Sequence, residues 1–212
     1  MSAPSSRRSA LVVVALLAAC GDKVPEADPA KATALAKAMA ENPPAPAGVP
    51  TCTGPELRDG VRLSWRSLLL LAKDTLRDVP ERAEWTNPAA LDAPAVRTIL
   101  DAAAAETARR RAAAVFVRAP AFVVYRIDMV DIPIALNVKE LKRGFVSVRA
   151  IRYAKGAPTC IRVFNVQNDK AKSEWAMDHS NKATIDPAVA QALRDDYQVQ
   201  LLATIAQLTA AP

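Results

Sequence analysis

The sequence predicts an α+β fold, in which an antiparallel sheet of three to four strands packs against about three helices in a two-layer sandwich. Apolar residues recur at helical spacing in the middle of the chain and again near its C-terminus. Between these stretches they alternate with polar residues, as in strands that bury one face. The 212 residues, 51% of them hydrophobic, suffice for one domain with a sizeable core and exclude a wholly disordered chain.

The first helix is predicted over 57–79, because Pro80 cannot continue it. Thr53 and Glu56 have the spacing of a capping box, with Pro55 between them. Gly60 is a weak point, at which the helix could instead begin. The apolar stripe of this helix comprises Leu57, Val61, Trp65, Leu68, Leu69, Ala72, Leu76 and Val79.

Two more helices are predicted from start signals that contain proline. One begins at Asn87 or Asp92 and runs to about Ala112, with the arginines 109–111 at the negative end of its dipole. The other begins at Asp186 and continues almost to the C-terminus. Its apolar stripe comprises Val189, Leu193, Tyr197, Leu201, Ile205 and Leu208.

Three strands are predicted over 123–130, 145–153 and 159–167, where apolar and polar residues alternate. Gly156 and Pro158 lie between the last two strands and predict a hairpin. Short connections between successive strands favour an antiparallel meander.

Three further segments are less regular in pattern. Residues 115–118 could add a strand, and 131–143 could form a short strand or a loop. The polar segment 168–185 is predicted to be a loop.

The N-terminus has the pattern of an export signal. Arg7 and Arg8 precede an apolar run over 10–19, and Cys20 follows. This run is too short to cross a bilayer, which requires about 20 helical residues. The run closes on Leu17-Ala18-Ala19-Cys20, with small residues between the leucine and the cysteine.

In these residues the chain resembles a bacterial lipoprotein precursor, with Leu17–Cys20 as its lipobox. The resemblance covers residues 1–20 and implies that 1–19 are a signal peptide. It also implies that Cys20 receives a diacylglycerol and becomes the first residue of the mature chain. Two acyl chains anchor a protein stably to a membrane. Gly21 after the cysteine favours the outer membrane facing the periplasm, with the outer leaflet of the inner membrane and the cell surface as alternatives.

Residues 20–50 are predicted to be a lipidated Ala/Pro-rich tether and 51–212 a single α+β domain. Asp28 and Pro29 could start a short helix that ends near Glu41. We expect this helix to be marginal and mobile, because it offers little apolar surface. An extended tether of this length would reach about 90 Å.

Lipidation of Cys20 leaves two of the three cysteines, Cys52 and Cys160. In an oxidising compartment this pair predicts one disulfide, and the alternative is two buried free thiols. No cofactor is predicted, and two isolated cysteines with one histidine lack the spacing of zinc ligands.

A cluster of basic residues follows the first predicted strand. Its members are Lys139, Lys142, Arg143, Arg149, Arg152 and Lys155. They could contact an anionic partner such as lipid headgroups, lipopolysaccharide phosphates or an acidic protein. Arg149 and Arg152 have opposite strand parity, however, so we expect them on different faces. The alternative is a set of solvated charges that protect a sheet edge.

The sequence contains no catalytic motif that we recognise. The single histidine, His179, lies between Asp178 and Ser180, and adjacent side chains do not form a catalytic triad. There is neither a glycine-rich phosphate loop nor a nucleophile elbow.

We therefore expect a non-enzymatic envelope lipoprotein that is held to the membrane through Cys20 and binds another envelope component, most simply a protein. One alternative is a carrier of a small amphiphile or lipid, suggested by the apolar residues 68–71. The other is a hydrolase that uses carboxylates. A nucleic-acid partner is not expected, because removal of Arg7 and Arg8 lowers the net charge from +6 to +4 and export removes the chain from the cytoplasm.

Overall fold

The computed structural model describes residues 25–42, 48–74, 88–131, 134–137, 140–142, 144–167 and 187–210. Its elements, in chain order, are α1 (Pro29–Glu41), α2 (Gly54–Arg58), β1 (Val61–Ser64), α3 (Trp65–Ala72), a 3₁₀ helix (Pro88–Leu91), α4 (Pro94–Leu100), α5 (Glu106–Arg118), β2 (Phe122–Asp131), β3 (Ile134–Asn137), β4 (Glu140–Lys142), β5 (Phe145–Ala154), β6 (Ala157–Gln167) and α6 (Pro187–Thr209). The α+β class predicted from the sequence is confirmed.

Some predicted features lie outside the described residues. They are the signal peptide at 1–19, Cys20, the end of the first predicted helix at 75–79, the loop at 168–185, His179 and Asp186.

The main sheet has the strand order β1-β2-β5-β6. The three predicted strands are β2, β5 and β6, and they pair in antiparallel fashion as expected. A tight turn joins β5 to β6, where Lys155 and Gly156 both have positive φ. Strand β1 differs from the prediction, because it lies parallel to β2 with Val61 opposite Phe122. Strands β3 and β4 form a separate antiparallel pair within the segment left open as strand or loop.

Helices pack on both faces of this sheet, one layer more than the sequence predicts. On one side, which we call the α6 face, Val123 and Tyr125 of β2 are buried in a cluster with residues of α2 and α6. On the other side, the α1 face, Phe122 and Val124 are buried in a cluster with residues of α1, α3, α4 and α5. Four successive residues at the start of β2 are buried, so both faces of the strand require cover.

The long helix predicted over 57–79 is interrupted by β1. Glu56 accepts hydrogen bonds from the backbone and hydroxyl of Thr53 (both 2.8 Å), so the predicted capping box is confirmed, but α2 ends at Arg58. Val61 then donates to the Ala121 carbonyl (3.0 Å) beside the start of β2. A Cβ on Gly60 would lie 3.2 Å from that same carbonyl oxygen, so a residue without a side chain suits this close approach.

The second predicted helix is in fact two helices, α4 and α5, and it does not end near Ala112. Arg109 and Arg110 therefore lie in the first half of α5 and pair with Glu106 one turn earlier, at 2.8 and 3.2 Å. They do not stabilise a helix C-terminus. Residues 115–118 continue α5 rather than forming a strand, because Phe116 extends its buried stripe.

Helix α1 belongs to the folded domain, in contrast to the mobile helix expected within the tether. Its residues Ala32, Ala36 and Met39 are fully buried against the α1 face. Asp28 caps the helix by accepting a hydrogen bond from the Ala30 backbone (2.9 Å). The methyl groups of alanine let one helix approach another closely, so α1 packs well despite its small apolar stripe.

Helix α6 is confirmed, and its residues Tyr197, Leu201 and Ile205 are buried in the α6 face as predicted. The side chains of Val189 and Leu193 lie outside the described part of the chain. Within that part, no helix has the length and apolarity needed to cross a bilayer.

Candidate functional site

A disulfide joins Cys52 to Cys160, as predicted, across a sequence separation of 108. Both cysteines are buried in the α6 face, with their Cα atoms 4.9 Å apart. The backbone beside them is paired as well, because Cys52 donates to the Ile161 carbonyl (3.0 Å) and Ile161 donates to that of Pro50 (2.9 Å). The alternative of two free thiols does not apply.

The predicted basic cluster is not brought together as one patch. Lys139 and Arg143 lie outside the described residues, and Lys142 is the last residue of β4. Arg149 and Arg152 project to opposite faces of the sheet, as their parity predicts, because they face Arg126 and Val123 of β2 without a register shift between them.

The partners of these basic residues differ as well. Arg149 forms an ion pair with Asp128 (2.8 Å), whereas Arg152 donates a hydrogen bond to the Thr159 hydroxyl (3.2 Å). Lys155 lies apart from both, in the turn between β5 and β6. The cations of this stretch therefore serve different local contacts.

A charged cluster does form on the α1 face, beyond the part that the helices cover. Arg126 and Arg149 both contact the carboxylate of Asp128, at 3.4 and 2.8 Å. The Arg126 guanidinium also lies over the Trp65 ring, 5.1 Å from its centroid. Two cations share one carboxylate here, so the cluster carries one net positive charge.

Apolar side chains lie on the same face beside this charged cluster. Val163 of β6 is directly opposite Arg149, and Met129 of β2 is opposite Ser147, two residues along β5. Met129 is 49% exposed and Val163 is 59% exposed. This surface was not predictable from the sequence, because Arg126 and Arg149 meet only through the pairing of β2 with β5.

A cavity of about 380 Å³ lies between α3, the 3₁₀ helix and α4. It is lined by Ser64, Arg66, Ser67, Leu70, Ala89, Asp92, Arg97, Leu100 and Asp101. Asp92 and Ser67 are the buried polar side chains of its wall, together with Ser64. The cavity thus combines apolar leucines, two arginines and a buried carboxylate.

Asp92 is held at the start of α3. It accepts hydrogen bonds from the Ser64 backbone (2.7 Å) and from the Ser67 hydroxyl (2.6 Å), while Ser64 caps α3 by accepting from the Ser67 backbone (3.1 Å). Burial raises the pKa of Asp92, although the hydrogen bonds from Ser67 and Ser64 lower it. Asp92 was predicted to start a later helix, but Ala93 is the N-cap residue there.

The cavity also contains a second carboxylate, that of Asp101. Both Asp92 oxygens accept hydrogen bonds from the start of α3. Asp101 in turn accepts a hydrogen bond from the Ala103 backbone (2.9 Å). What the cavity offers chemically is an apolar wall formed by Leu70 and Leu100 beside the cations Arg66 and Arg97.

Among the described residues, no three His, Cys, Asp or Glu side chains are grouped so that they could hold a metal ion. Comparison of the chain with protein-family models, with curated proteins and with solved structures finds no match.

Proposed function

We propose that the chain is the precursor of a bacterial envelope lipoprotein, anchored through Cys20, whose domain binds another envelope component without catalysing a reaction. The observation that carries this proposal is the use of the three cysteines. Cys52 and Cys160 are joined in a disulfide, a bond that persists in oxidising compartments such as the periplasm. The third cysteine closes the segment Leu17–Cys20, where a lipobox requires it.

A protein partner is supported by the exposed surface on β2, β5 and β6. Protein interfaces are enriched in methionine and arginine around an apolar centre. Met129 and Val163 supply exposed apolar area, and Arg126 and Arg149 flank it with their shared partner Asp128. An acidic or amphipathic segment of a partner fits this combination.

Lipidation is tested by replacing Cys20 and following a clickable fatty acid. The Cys20→Ala variant should lose the label and leave the membrane fraction. The double variant Cys52→Ala/Cys160→Ala is the control and should keep the label, since it retains Cys20. Persistent labelling of Cys20→Ala would refute the anchor.

The binding surface is tested by a photo-crosslinking amino acid at Val163 in living cells. The matched control is Val199 of α6, which is exposed to the same degree (61% against 59%) but lies on a different element. We expect a discrete protein adduct from position 163 and none from position 199. Equal patterns from both positions would contradict a partner at this surface.

A carrier of a small amphiphile is the second candidate, because the cavity places Leu70 and Leu100 beside Arg66 and Arg97. An apolar wall with a few convergent polar groups is typical of ligand sites. Native mass spectrometry of the folded protein should then detect an anionic amphiphile, and Leu70→Glu should abolish its uptake. Absence of any bound or added lipid from the intact protein would remove this candidate.

A further inference from the structure

The chain that leads from Cys20 into the domain is attached to α5. The backbone of Ala27 donates a hydrogen bond to the Arg110 carbonyl (3.0 Å), and Glu26 forms an ion pair with Arg111 (3.9 Å). Immediately afterwards α1 is packed against the α1 face through Ala32 and its other buried residues. The point at which the anchored end joins the domain is therefore beside Arg110.

This attachment leaves little freedom between the anchor and the domain. Cys20 precedes Ala27 by seven residues, which span at most about 25 Å when fully extended. A tether that continued to Pro50 would instead reach about 90 Å. Because α5 has 13 residues and is about 20 Å long, a membrane that holds Cys20 lies within reach of the whole helix.

The outward side of α5 suits contact with such a membrane. Arg111, Val115 and Arg118 recur at helical spacing and are all exposed, with Val115 at 57%. One apolar side chain therefore lies between two arginines on the same side. Helices that rest at a membrane interface combine apolar contact with cations that reach the headgroups.

The charge around this side of α5 is positive after its ion pairs are counted. Glu106 pairs with Arg109 and Arg110, and Glu26 pairs with Arg111. Three arginines thus share two carboxylates, and Arg118 adds a further cation at the end of the helix. Anionic headgroups attract such cations within a Debye length of the surface.

We propose that the outward side of α5, comprising Arg111, Val115 and Arg118, lies on the anionic headgroups of the membrane that holds Cys20. The proposal rests on the proposed function, because it takes Cys20 as the lipid anchor. It goes further by assigning the domain one orientation on the bilayer.

Arginine modification by phenylglyoxal tests this orientation on the purified lipidated protein. The protein is inserted into vesicles of phosphatidylcholine alone or mixed with phosphatidylglycerol, and each arginine is followed by mass spectrometry. Arg58 of α2 is the internal control, because its side chain is 49% exposed, against 55% for Arg111. Helix α2 packs on the α6 face, on the opposite side of the sheet.

We expect Arg111 and Arg118 to react roughly threefold more slowly than Arg58 on the anionic vesicles. This protection should disappear on neutral vesicles and at high salt, because screening weakens the attraction. The variant Arg118→Gln should also restore the reactivity of Arg111, whereas Arg58→Gln should not.

Equal rates at Arg58 and Arg111 on anionic vesicles would overturn the proposed orientation and leave the anchor intact. Protection in whole cells but not on vesicles would also overturn it, because a protein would then cover α5. Failure of the proposed function is recognised separately, since the intact mass would show no lipid on Cys20.

Discussion

The two faces of the sheet are stabilised in different ways. The α6 face joins segments that are far apart in the chain, since Cys52, Val123, Cys160 and Tyr197 share one cluster. The helices of the α1 face all come from 29–118, which precedes β2. The disulfide lies in the α6 face. Contacts between distant segments close long loops there, and long loops cost the most conformational entropy to close. The α1 face relies on close packing of helices that are near in sequence.

The largest expected effect is that of the disulfide. A bond between residues separated by 108 positions should contribute about 4–5 kcal/mol to the free energy of unfolding in the chain-entropy model. The double variant Cys52→Ala/Cys160→Ala should lose this stabilisation, as measured by urea unfolding with tryptophan fluorescence. Loss of the buried sulfur atoms adds a packing cost.

The wild-type protein in a reducing agent is the control, since it loses the bond but keeps both side chains. Reduction of the wild-type protein should therefore cause most of the decrease in the free energy of unfolding that the double variant shows. A difference below about 1 kcal/mol between oxidised and reduced protein would show that the α6 face does not depend on the bond.

The second effect concerns α1 and the α1 face. Met39→Ala removes a fully buried side chain and should lower the free energy of unfolding by about 2–4 kcal/mol. Met129→Ala is the matched control, because Met129 is 49% exposed and its truncation should cost less than about 0.5 kcal/mol. Equal effects of the two variants would mean that α1 does not take part in cooperative folding.

The alternating strands and the disulfide were predictable because their signals are local or countable. Residues such as Val146 and Val148 alternate with partly exposed neighbours along β5, which is the pattern that predicts a strand. Once Cys20 is set aside as the cysteine of the lipobox pattern, the other two cysteines leave one possible pairing. The opposite directions of Arg149 and Arg152 followed from parity alone.

Strand β1 and helix α1 were not predictable from such signals. Val61 of β1 fits the helical stripe of its neighbours, and the pairing of β1 with β2 depends on positions about 60 residues away. Helix α1 is buried largely through Ala32 and Ala36, and alanine gives only a weak apolar signal. The hydrogen bonds from Ser64 and Ser67 to Asp92, and the cluster around Asp128, likewise form between segments distant in sequence.

The smallest effect is expected at Asp92, a buried carboxylate that is held at the start of α3. Burial raises the pKa of Asp92 above its unfolded value of about 3.9. The protonated carboxyl of Asp92 therefore contributes its full stabilisation to the folded protein below about pH 3.9. This stabilisation is lost as the pH rises through the pKa that Asp92 has in the folded protein. Asp92→Asn keeps an oxygen that can accept from the Ser64 backbone but cannot ionise.

Asp92→Asn should therefore become more stable relative to the wild type as the pH rises from about 3 to neutrality. Urea unfolding across this range measures the difference, and Asp59→Asn, at an exposed carboxylate, controls for the loss of one negative charge. The opposite trend would show that the hydrogen bonds from Ser64 and Ser67 outweigh burial. Asp92 would then stabilise the start of α3 through its charge, much as the disulfide stabilises the α6 face through a covalent bond.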